Sequence, residues 1–85
     1  MEALNKQTTV ESIRECWALL FPFAISDRQI GIWLVAHDPQ IIRKGISSAG
    51  LKYERLNGAM NLDHALRFAS SVMNRMTAES NQGAA

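Results

Sequence analysis

SDRQIGIWLVAHDPQ, residues 26–40, carries seven consecutive non-polar residues, Ile30 to Ala36, between a charged entry and an Asp-Pro exit. The fold turns on this stretch, because an unbroken apolar run suits a buried strand and a buried helix equally well. Its flanks separate the two. Ser26 with Gln29 three residues on is a capping box, Asp27 puts negative charge in the first turn of a helix, and His37 falls in the last turn. Asp38 and Pro39 then read as the cap and first position of the next helix, where proline gives up only an amide that had no partner. Gly31 and the β-branched residues argue for a strand, but the flanking chemistry outweighs them and predicts a helix over 27–37.

Upstream, Thr8 with Glu11 is a second capping box, and Pro22 ends the helix at Phe21. Val10, Ile13, Trp17, Leu20 and Phe21 lie at helical spacing and form its core face, and the phenylalanines of FPFA tuck under the neighbouring helices. Downstream, a third helix runs from Pro39 to about Leu56. Ile42, Ile46, Ala49, Tyr53 and Leu56 share one face, and Lys44, Ser48, Leu51 and Arg55 make the opposite, solvent-facing stripe. Gly45 and Gly50 weaken this helix by about 1 kcal/mol each, so they mark close packing or a bend. Asn57-Gly58 supplies the left-handed stop. Asn61 caps a fourth helix from Leu62 to about Thr77, whose core face is Leu62, Ala65, Leu66, Ala69, Val72, Met73 and Met76.

The expected fold is therefore all-α: a compact bundle or orthogonal array of about four helices with short connections. Residues 1–7 read as a flexible lead, 8–78 as one helical domain, and 79–85 as a disordered tail of small and polar residues. At 85 residues the chain buries only roughly 60 to 65% of its unfolded surface, so its core has to be efficient or shared with a partner.

Composition narrows the function classes. Cys16 is the only cysteine and cannot form an intramolecular disulfide, no Cys/His cluster offers a zinc site, and no apolar run approaches the ~20 residues of a membrane span. The expectation is a cytoplasmic protein with no metal, cofactor or membrane partner. Asp63-His64 points its two side chains about 100° apart, Cys16 has no basic pair beside it in sequence, and no glycine-rich phosphate loop is present, so an enzyme is not expected.

Charge and apolar surface point to two functions. Residues 1–39 carry three basic and five acidic side chains, whereas residues 40–76 carry six basic and two acidic ones. A nucleic-acid surface would use Arg43, Lys44, Ser48, Lys52 and Arg55 on the third helix, with Arg67 and Arg75 on the fourth as backbone clamps. That gives a small regulatory or accessory protein binding DNA rather than RNA. A simple helix-turn-helix does not fit, because Leu34 stands where alanine is favoured and Lys44 where an aliphatic residue belongs. The alternative is a protein–protein adaptor or inhibitor, homodimeric in its simplest form. It would use Ile32, Trp33, Val35, Leu51 and Phe68 around the helix at 27–37. If that helix is not central to the fold, its outer apolar residues are left for a partner.

Overall fold

Four helices make up most of the segment, residues 6–84, that the computed structural model describes. They are α1 (Lys6–Leu20), α2 (Asp27–Ala36), α3 (Pro39–Arg55) and α4 (Leu62–Ala84), with no strand among the described residues. The decisive stretch is helical, and its caps are the ones the flanks predict. Ser26 Oγ accepts from the Gln29 amide at 3.1 Å. Asp38 Oδ2 accepts from the Gln40 amide at 2.9 Å, with Pro39 in the first turn of α3. Asn61 Oδ1 accepts from the His64 amide at 2.8 Å at the head of α4. Asn57 (φ 54°) and Gly58 (φ 81°) make the left-handed turn between α3 and α4.

Two ends differ from the expectation. Helix α1 is already under way at Lys6, so Thr8 lies inside it rather than at its cap; the rest of the expected lead, residues 1–5, lies outside the described residues. Helix α4 continues past Thr77 to Ala84, through most of the segment expected as a tail, while Ala85 lies outside the described residues. The physical reason is propagation: once packing fixes 62–77, each further residue adds one hydrogen bond without a new nucleus.

The core is continuous. Ile13, Trp17, Ile30, Ile42, Ile46, Ala49, Ala65, Ala69 and Met73 are essentially inaccessible, and Phe21, Ile25, Trp33, Met60 and Val72 are nearly so. Aromatic rings fill one end: Trp17 and Phe21 lie 4.3 Å apart by centroid, Phe23 stacks on Phe21 at 5.4 Å, and Tyr53 meets Phe21 edge-on at 5.3 Å. Trp17 Nε1 donates to the Phe23 carbonyl at 2.9 Å, which pins the FPFA connector beneath α1.

Helix α3 is the hub. Its most extensive seam is with α4, and it also packs against α1 and α2. Both seams with its larger neighbours rely on a missing side chain. A Cβ on Gly45 would stand 2.6 Å from Met73 Cγ and 3.0 Å from the Ala69 carbonyl oxygen, and one on Gly50 would stand 2.9 Å from Leu20 Cδ1. Close packing, rather than a bend, is what the two glycines provide, since α3 is unbroken from Pro39 to Arg55.

The Cα envelope measures 39 × 30 × 16 Å. Sixteen ångströms accommodates about two layers of helices at the usual 8–10 Å separation, so every helix keeps a face toward solvent. That decides the position of α2. Only Ile30 and Trp33 of its ten residues are buried, while Ile32 and Val35 point outward.

Candidate functional site

The seven residues expected to contact nucleic acid do not share one free surface. Arg43 is half-buried and donates from Nη2 to Ser12 Oγ at 2.9 Å, bridging α3 to α1. Lys52 places Nζ 4.5 Å from the centroid of the Phe68 ring, a cation–π contact across the α3–α4 seam. Arg67 pairs with Asp63 one turn back on α4. Each of these cations is accounted for by a partner within the chain. Lys44, Arg55 and Arg75 are exposed and make no ion pair among the described residues. Ser48 is half-buried between Lys44 and Arg55 on the outer face of α3. Eleven residues separate that lysine from that arginine, which places their Cα atoms on one helix face about 16 Å apart.

The apolar candidates divide differently. Trp33 is a correction: only 3% of its surface is accessible, and its Nε1 donates to Ser70 Oγ at 2.9 Å, so it ties α2 to α4 instead of facing a partner. The run of apolar residues gave no sign of which face would turn inward, and an indole with a buried N–H partner is the bulkiest group that can close that seam. Phe68 is half-buried with Lys52 over its ring, so it too belongs largely to the α3–α4 seam. Ile32 (55% exposed) and Val35 (87%) stand in solvent, as expected for a helix that is not central.

Leu51 is exposed as well, but its neighbours are Leu19 and Leu20 rather than Ile32 and Val35. Together with Gly50, Tyr53 and Glu54 they line an open groove of about 700 Å³ between the ends of α1 and α3. Leu19, 85% exposed, is the residue that the sequence reading missed. It lies two positions past Trp17, about 200° round the helix and off the core stripe, and that angle was a usable signal.

Groups with reactive chemistry are few among the described residues. Cys16 is half-buried, and burial pushes its thiol above the ordinary value, with Arg43 acting in the opposite direction. A thiol shifted that way is a poorer nucleophile at neutral pH. His37 Nδ1 lies 2.7 Å from Thr77 Oγ1, a second link between α2 and α4. A polar depression of about 490 Å³ between Gln29 and α4 contains Asp63 and Arg67, which pair with each other, and Ser70, which holds Trp33. Among the described residues no group of three or more His, Cys, Asp or Glu is placed to hold a metal ion, and no helix is long and apolar enough to cross a membrane. Comparison of the chain with protein-family models, with curated proteins and with solved structures gives no significant match.

Proposed function

We propose that this chain is a non-enzymatic protein-interaction module, an adaptor or inhibitor that engages other protein through apolar side chains. The observation that carries the reading is the outward face of α2, a helix apolar through its middle that buries only Ile30 and Trp33 and leaves Ile32 and Val35 in water. Exposed apolar residues scattered singly are ordinary, but clustered ones mark contact surfaces. Among the described residues all the large exposed ones except Leu56 come in two sets, Ile32 with Val35 on α2, and Leu19, Leu20 and Leu51 around the α1–α3 groove. Burying one such side chain against a partner gains roughly 1.5 to 3 kcal/mol before the costs of association.

A second reading keeps nucleic acid as the partner, in DNA-binding form, and rests on Lys44, Ser48 and Arg55 sharing the outer face of α3, with Arg75 exposed on α4. It is the weaker reading because Arg43, Lys52 and Arg67 already have partners within the chain. Each phosphate contact removed also lowers the salt dependence and strength of binding.

Site-specific photo-crosslinking in cells separates the two. With the reactive group at position 19 or 35, the expected products are protein adducts; at position 44 or 55, no nucleic-acid adduct forms. Nucleic-acid adducts at 44 and 55, with none to protein at 19 or 35, would replace the first reading by the second.

A further inference from the structure

We infer that the partner of the α2 face is a second copy of the same chain, packed antiparallel across a two-fold axis between Ile32 and Val35. This deepens the protein-interaction reading and rests on it. At about 100° per residue, Arg28, Ile32, Val35 and Ala36 fall within roughly 100° of one another on the outer side of α2, and Gly31 borders them. All of them except Gly31 are exposed, and a Cβ on Gly31 would meet nothing within 4 Å beyond its chain neighbours and its own helix backbone.

The sequence of this face matches its own reverse. With the axis midway between 32 and 35, Ile32 meets Val35 of the second copy and Val35 meets its Ile32. Gly31 meets Ala36, so a small residue faces a small residue on both sides of the apolar pair and the two helices approach closely. The same register brings Arg28 to the far end of the opposite helix, at Asp38 and Pro39.

The charges there are complementary and available. Arg28 makes no ion pair among the described residues, in contrast to Arg14, which is held by Asp27 at 2.8 Å. Asp38 is an exposed residue that uses Oδ2 to cap α3, and its Oδ1 makes no hydrogen bond or ion pair among the described residues. One cation and one carboxylate thus bracket an apolar pair, with opposite signs at opposite ends, the arrangement an isologous contact requires. The other exposed apolar set among the described residues lacks this self-match: the α1–α3 groove carries Glu54 and no cation among its lining residues.

The test is sedimentation equilibrium of the full chain over a concentration series, with circular dichroism confirming that each variant is folded. Wild type is expected to associate to a dimer, and Val35→Glu to remain monomeric. Arg28→Asp and Asp38→Arg each place like charges at both crossed contacts and are expected to weaken self-association about tenfold or more. Mixed in equal amounts they restore opposite charges at both contacts, and the mixture is expected to recover association as a heterodimer. Arg28→Asp puts an acid in the first turn of α2, where it suits the helix dipole, so this variant keeps its fold even if loss of the Asp38 cap harms the other. A monomeric wild type, or a dimer indifferent to Val35→Glu and to Arg28→Asp, overturns the inference. A monomer that still gives protein adducts from position 35 would leave the interaction reading standing while removing self-pairing.

Discussion

Replacing Trp17 by alanine is expected to lower the midpoint of thermal unfolding by roughly 15 to 30 °C, the largest single effect in the chain. Trp17 is 1% exposed and holds two neighbouring elements to α1: the connector, through Phe21 and Phe23 with ring centroids at 4.3 and 6.3 Å, and α2, through Trp33 at 6.2 Å. Truncating a fully buried tryptophan costs about 3 to 5 kcal/mol, because the lost contacts leave a cavity that the neighbours only partly fill. A domain of 85 residues has a total stability of only about 4 to 13 kcal/mol. Trp17→Phe separates the ring from its N–H. It keeps most of the apolar volume but leaves the Phe23 carbonyl without its donor, so about 1 to 2 kcal/mol should be lost. Urea unfolding followed by circular dichroism reads both variants. Equal losses for Ala and Phe would mean that the hydrogen bond, not the packing, dominates this position.

Gly45→Val should be nearly as damaging, at about 2 to 3 kcal/mol. The added Cβ collides with Met73 Cγ, which is fully buried and near its own backbone, and with the Ala69 carbonyl, which moves only if α4 moves. The better helix propensity of valine recovers less than 1 kcal/mol of that. Shortening Met73 relieves part of the clash, so Gly45→Val combined with Met73→Ala should cost less than the two single changes added together. Gly31→Ala is the contrasting case. Nothing beyond its chain neighbours and its own helix backbone stands within 4 Å of its Cβ position, and in dilute protein it should raise stability by up to about 1 kcal/mol. If both glycine variants shifted the urea midpoint in the same direction, the close α3–α4 contact would not be what distinguishes them.

What was legible in the sequence follows the range of the interactions involved. The caps at Ser26, Asp38 and Asn61 and the stop at Asn57-Gly58 are local chemistry, settled within three or four residues, and all four stand in the structure. The core faces of α3 and α4 were readable from their period, as Ile42, Ile46, Ala49, Ala65, Ala69 and Met73 show. Helix α2 had no period to read. Which of its residues turned inward depended on where α4 placed Ser70 and Thr77, the partners of Trp33 and His37. Leu20 was expected in the core and is 37% exposed, because the helix ends there and Phe21 takes the inward position.

The basic stripe was only partly legible for the same reason. On a helical projection Arg43 and Lys52 are simply cations near a polar face. Only the approach of α1 and α4 reveals that Ser12 and the Phe68 ring are within their reach. Charge counted along a sequence says how many cations exist, and packing decides how many remain for a ligand. The α2 face is the converse case, since its apolar composition was plain from the start and only the thinness of the fold showed that it stays uncovered.

Closure of the open α2 face by a second copy is a proposal about two exposed side chains, Ile32 and Val35. It is tested most directly by the solvent access of the Ile32 and Val35 methyl groups, measured by nuclear magnetic resonance with a soluble paramagnetic agent as the protein concentration is raised. The expected result is strong relaxation of both in dilute protein and shielding of both in concentrated protein, with Leu19 relaxed and Ile42 shielded throughout. Ile32 and Val35 as accessible as Leu19 at every concentration would contradict it.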